Sequence, residues 1–169
     1  MDSEQLKSLQ APLKARYREA PEAAVITLRA EGAIGEGVTC SVATGQAMVA
    51  AGLHPATGGT GLHACSGDML LQALVACAGV TLNAVATALG IALDGATVRA
   101  EGDLDFRGTL GLDRETPVGF RAIRLFFDLD GQVGEEQRAT LLKLTERYCV
   151  VYQTLRAGPP IAVAMNIAP

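Results

Sequence analysis

Apolar and polar positions alternate along this chain in three different rhythms. Leu6, Leu9, Leu13 and Tyr17 recur every three or four residues, which predicts an amphipathic helix over residues 1–20, ended by Pro21. Ala24 to Ala30 and Val38 to Ala43 are rich in β-branched residues and flank the turn signal Gly35-Glu36-Gly37, so they predict a hairpin; residues 46–51 predict a further short strand. Residues 52–65 have no apolar period and hold Gly52, Pro55, Gly58, Gly59 and Gly61, which predicts a loop. Then comes a stretch without any charge, from Met69 to Leu93. Ser66 as N-cap, Asp68 in the first turn and Gly90 as C-terminal stop frame it as one long helix, apolar nearly all round and therefore buried on most sides. Its small residues, Ala73, Ala76, Ala78, Gly79, Ala84 and Ala86, would admit another helix at close range.

Beyond Gly90 the period drops to two. Val98, Ala100, Gly102, Leu104 and Phe106 alternate with Arg99, Glu101, Asp103 and Asp105, so residues 96–106 predict a strand with one wet face. Residues 118–129 predict its partner across a polar turn at 113–117. A second long helix opens at Gly134 and runs through Cys149, with Leu141, Leu142, Leu144, Thr145 and Tyr148 on its inner face. Residues 150–157 continue as a short helix, Pro159-Pro160 break the chain, and residues 161–167 predict a last strand. Strands cluster in hairpins instead of alternating with helices, which is the pattern of an α+β fold with largely antiparallel sheets.

Composition narrows the function classes. A length of 169 residues is that of one domain, and 49% hydrophobic against 19% charged residues indicates a folded core. The net charge of −4 and the absence of a basic cluster argue against nucleic acid as a partner. The uncharged run is long enough to span a bilayer. Its Gln72, Thr81, Asn83 and Thr87 and its alanine content favour a core helix, so no membrane partner is expected. The first residues, Met1-Asp2-Ser3-Glu4-Gln5-Leu6-Lys7, lack a positive segment leading into an apolar one, which predicts a cytoplasmic location. There the four cysteines (Cys40, Cys65, Cys77 and Cys149) are expected to be reactive, metal-binding or simply buried, not a disulfide framework.

Each cysteine has a plain reading and a chemical one. Cys77 lies well inside the apolar helix, where a cysteine commonly serves as a small hydrophobe. To be reactive it needs thiolate character, and it is too far from the start of its helix for that dipole to help, so a cation must reach it from elsewhere. Cys149 ends the second long helix, at the negative end of the dipole, and suits a second thiol that traps an oxidised sulfur. Cys40 reads as core filling. Cys65 stands at a helix start, which lowers a thiol pKa, but twelve residues from Cys77 it is out of direct reach. His63, Cys65 and Cys77 match no common zinc spacing, so no metal is expected, and His54 reads as an exposed loop residue.

The run Ser66-Gly67-Asp68-Met69-Leu70-Leu71-Gln72-Ala73-Leu74-Val75-Ala76-Cys77 resembles the cysteine helix of the OsmC/Ohr family. So do Thr81-Leu82-Asn83-Ala84-Val85-Ala86, Leu89-Gly90-Ile91, and the late helix 139–150 with Cys149, followed by Val151-Tyr152-Gln153-Thr154-Leu155. The resemblance covers roughly residues 24–168 and implies an OsmC-like fold over 1–169. In it, antiparallel sheets wrap two long central helices in an intertwined homodimer with active sites at the subunit interface. It implies a thiol-dependent peroxidase reducing organic hydroperoxides. Cys77 would become a sulfenic acid, Cys149 would resolve it as a disulfide, and an external dithiol, small or protein-borne, would reduce that disulfide without a cofactor. Two positions depart from the family. Where it has a glutamate ten residues before the first cysteine stands Gly67, with Asp68 next to it as a stand-in. The family also has an arginine shortly before the helix. No Arg or Lys occurs between Ala30 and Cys77, so Arg29, Arg16, Arg18 or His63 must substitute. The other reading is a dimer of the same fold with that apparatus lost, holding a small apolar ligand.

Overall fold

The computed structural model describes residues 2–19, 32–34, 39–43 and 48–165. The expected strand at 24–30 and the turn at 35–37 lie outside these residues. Helix α1, Ser3–Glu19, is followed by three short strands, β1 Gly32–Ile34, β2 Thr39–Ala43 and β3 Met48–Gly52, paired antiparallel in that order. The predicted loop contains a 3-10 turn at Pro55–Thr57 and a two-residue strand, β4 Ala64–Cys65, which adds to β3 in parallel.

Helix α2, Ser66–Leu89, starts one residue earlier than its sequence signals suggest. Cys65 is the N-cap and Ser66 is already helical. It ends as expected at Gly90, whose φ of 68° places it in the left-handed region, where its N–H reaches back to Ala86 and Thr87. Its burial is narrower than expected from its apolar sequence. Leu74, Ala78, Leu82, Val85 and Ala86, spaced at one helical face, are buried, whereas Val80 is 73% exposed. A stripe of about one third of the surface is what a single layer of neighbours can cover.

That layer comes from β5 Gly95–Leu104, β6 Phe120–Asp130 and α4 Glu135–Tyr148. The β5–β6 hairpin pairs Val98 with Phe127 and Ala100 with Leu125, as the period of two requires. Its outer face carries a charge ladder: Arg99 pairs with Asp128, and Arg124 with Glu101 and Asp103. Gly102 is needed at its position, because a Cβ there would run into the Phe120 ring. The connecting segment holds α3, Phe106–Thr109, whose first residue the alternating pattern had placed in the strand; Asp105 caps it by accepting from the Arg107 N–H. The core joins Leu82, Val85, Ala86 and Leu141 to Phe127, Leu129, Val133, Ile91, Leu93 and Leu144. On α4 the inward face is carried by Leu141 and Thr145, while Leu142 and Tyr148 are 47% and 58% exposed. Helix α5, Val150–Ala157, follows at once. Residues 161–165 form no strand, and Ile161, Val163 and Met165 are 86–94% exposed.

Candidate functional site: a dithiol at a helix elbow

The two cysteines singled out by the sequence meet where α2, α4 and α5 converge. Helix α4 stops because Cys149 turns extended, at φ −71° and ψ 109°, so its N–H still closes on Thr145 while the chain changes direction. Cys149 is therefore the C-cap of α4 and at the same time the N-cap of α5. The second role was invisible in the sequence reading, which saw only the unfavourable negative end of α4. An α5 that starts here leaves its first-turn N–H groups without intrahelical partners. Those of Val151 and Val150 act on the thiol of Cys77, whose pKa they lower.

Burial acts to raise the Cys77 pKa, as it does for any thiol. The hydrogen bonds outweigh it. The Val151 N–H, the Cys149 thiol, the Val150 N–H and the Thr81 hydroxyl all favour the sulfur as an anion, and the net result is a lowered pKa. No guanidinium is among these groups for the described residues, so the thiolate is favoured by backbone dipoles in place of the cation expected from the sequence. Cys149 moves the other way. It is 1% exposed, burial pushes its thiol up, and the neighbouring Cys77 adds to that. The pair is thus polarised, the Cys77 thiol easier to ionise and the Cys149 thiol harder to ionise than an ordinary cysteine. Both are free thiols.

The remaining candidates lie elsewhere. Asp68 is exposed on the first turn of α2, nine residues before Cys77, or about 13 Å along the axis at the helical rise. Gly67 has room for a Cβ at ordinary contact distances from Phe120, Cys65 and Leu104. Cys65 caps α2 at the far end of the same helix. His63 is exposed and lies over Gly52, and His54 is half-buried, its ring stacked on Phe106 and its Nδ1 accepting from the Ala56 N–H at 3.1 Å. The side chains of Arg16, Arg18 and Cys40, and all of Arg29, lie outside the described residues. Among the described residues no cluster of three or more His, Cys, Asp or Glu side chains could hold a metal ion. Two grooves of about 570 and 540 Å³ run between β6 and the α4–α5 arm, lined by Leu82, Leu125, Phe127 and Leu141 in one and by Leu74, Ile123, Tyr152 and Arg156 in the other; neither is lined by Cys77 or Cys149.

An α+β chain with a long central helix that brings a polarised dithiol to a helix elbow defines a class of cysteine proteins. The family model for OsmC-like proteins matches residues 59–164, and the chain belongs to that family. The fold is shared with solved structures. An OsmC-like protein from Mycoplasma pneumoniae superposes with a TM-score of 0.65 at 18% identity, over 78% of this chain and 89% of that one. An organic hydroperoxide resistance protein OsmC from Legionella pneumophila gives 0.63 at 18%, over 79% and 92%. The organic hydroperoxide resistance protein OhrB of Bacillus subtilis gives 0.56 at 18%, over 79% and 93%. At such identities the likeness concerns the fold. No curated protein sequence matches the chain.

Proposed function

We propose that this protein is a thiol-dependent peroxidase that reduces organic hydroperoxides, with Cys77 as the attacking residue and Cys149 as the resolving one. The arrangement that carries the reading is the meeting of Cys77 and Cys149 where α2 packs against α4 and α5, with the Cys77 thiol pulled down and the Cys149 thiol pushed up. Membership of a family that includes solved organic hydroperoxide resistance proteins supports the substrate class.

The chemistry balances in three steps. The Cys77 thiolate attacks the terminal peroxide oxygen, the O–O bond breaks, and an alkoxide leaves and takes up a proton as the alcohol; Cys77 becomes a sulfenic acid. The Cys149 sulfur then attacks that sulfenic sulfur, water leaves, and a Cys77–Cys149 disulfide forms. An external dithiol, free or carried by a protein, reduces the disulfide by exchange and is itself oxidised. The lowered Cys77 pKa and the raised Cys149 pKa assign the first attack to Cys77. We place the protein in the cytoplasm as a homodimer, through the face of α2 that includes the exposed Val80.

The test is consumption of cumene hydroperoxide by the purified protein with a dithiol present. Wild type is expected to turn over. Cys77→Ser should abolish the activity, and Cys149→Ser should stop after one turnover with a sulfenic acid that dimedone traps. A folded wild-type protein that consumes no peroxide overturns the proposal. The two grooves beside β6, lined mainly by apolar side chains and apart from the cysteines, support a second reading as a binder of a small apolar ligand. Native mass spectrometry with bound lipid and thiols inert to peroxide would decide for it.

A further inference from the structure

The elbow between α4 and α5 has a clamp that takes no part in the reaction steps. Gln153, in the first turns of α5, makes two hydrogen bonds back to the bend, one to Cys149 and one to Glu146 before it. Its backbone N–H donates to the Cys149 carbonyl at 3.0 Å. Its side-chain Nε2 donates to the Glu146 carbonyl at 2.7 Å. Glu146 is in the last turn of α4, where carbonyls have no helical partner, so a residue of one helix caps the end of the other. Cys149 alone is a single extended residue, and one such residue leaves the angle between two helices adjustable. The side-chain bond spans seven residues across the bend and closes it into a ring.

We propose that Gln153 is a positioning residue: by tying α5 to the end of α4 it holds the Val150 and Val151 amides against the Cys77 sulfur. This rests on the reading of Cys77 as the thiolate that reacts. Gln153 does not touch the sulfur. Among the described residues the groups that lower its pKa are the two amides, the Cys149 thiol and the Thr81 hydroxyl, and three of these four sit on the clamped elbow. Thr81 is the exception. It lies on α2 itself, one turn beyond Cys77, where its hydroxyl donates to the Cys77 carbonyl at 2.7 Å. Loss of the clamp therefore moves the elbow donors and leaves Thr81 in place, so the thiolate is weakened without being abolished.

The experiment reads the Cys77 pKa from the pH dependence of its alkylation by iodoacetamide, with the Cys77 peptide quantified by mass spectrometry. Gln153→Met keeps the length of the side chain and removes the donor. The expected result is a rise of about one unit, the scale of one hydrogen bond to an anion. A helix that merely lost stability would melt earlier without moving this pKa. Two further measurements sharpen the test. In a Val150→Pro background, Gln153→Met should add less than its own single effect, because both act through the same amides. Gln153→Asn, whose amide stops one methylene short of Glu146, should raise the pKa as well, and it replaces the Met variant if that one does not fold. An unchanged Cys77 pKa in a folded Met or Asn variant overturns the proposal, and so does full additivity with Val150→Pro. Alkylation requires no peroxide, so a protein inactive on peroxides would overturn the peroxidase reading through a separate measurement.

Discussion

Replacing Val150 by proline isolates the contribution of one backbone donor to the Cys77 thiolate. The position tolerates the change for three reasons. Val150 is the first residue of α5, where a proline ring fits and its missing N–H breaks no helical bond. The preceding residue, Cys149, is already extended at φ −71° and ψ 109°, as a residue before proline must be. The Val150 side chain is 70% exposed, so little packing is lost. What disappears is one N–H directed at sulfur. A hydrogen bond to a charged group is worth about 1.5–3 kcal/mol, and about 1.4 kcal/mol corresponds to one pKa unit; water recovers part of it in a half-exposed site. The Cys77 pKa should rise by about one unit, towards the ordinary thiol value. Stability in urea should hold within about 0.5 kcal/mol, since proline also restricts the unfolded chain. Alkylation of Cys77 by iodoacetamide between pH 5 and 10 measures the midpoint. A folded Val150→Pro protein with an unshifted midpoint would refute the claim that α5 amides hold the thiolate.

The other expectations concern the partner thiol, the core and the hairpin. Cys149→Ala removes a donor to Cys77 and should raise its pKa, seen as a later rise of thiolate absorbance at 240 nm. In wild type two thiol steps should separate, Cys77 below the ordinary value and Cys149 above it. The signs carry over to stability. The lowered Cys77 contributes stability above the unfolded-chain value, lost as pH falls through its folded pKa. The raised Cys149 favours the fold below that value, and this is lost as pH rises towards its folded pKa. Leu141→Ala, at a side chain only 1% exposed against Leu82 and Phe127, should cost about 2–5 kcal/mol in urea denaturation with an unchanged slope. Asp105 is held down to about 2 by the Arg107 guanidinium and N–H, so its carboxyl carbon should titrate by NMR near that pH and not near 4.

The parts legible in the sequence are those in which period and burial agree. The hairpin 95–130 shows a period of two because one face meets the core and the other meets water, and its charges pair across strands. The helix at 135–148 and the short helix after Cys149 were equally plain, since capping residues and breaks bound them. The burial of α2 was overread. Its sequence is apolar nearly all round, whereas the described residues cover only the stripe from Leu74 to Ala86. The strand expected at 161–167 fails in the same way over its described residues. Ile161, Val163 and Met165 alternate as a strand requires, but alternation supplies no neighbouring strand, and without one the backbone bonds cannot form.

The thiolate could not be read from the sequence for a more specific reason. Sequence reasoning searches for charged side chains, and the stretch from Ala30 to Cys77 has no Arg or Lys. The donors found here are backbone N–H groups of Val150 and Val151, two residues whose side chains carry no chemistry. They become available because one residue, Cys149, leaves the helix for a single extended step. The same step buries the Cys149 thiol, which raises its pKa and keeps its proton. One backbone bend therefore shifts the two thiols in opposite directions, and a shift in the bend would change both together. That coupling separates this site from one built on an arginine. A guanidinium could be removed without touching Cys149, whereas the elbow cannot be straightened without disturbing the attacking and the resolving sulfur at once.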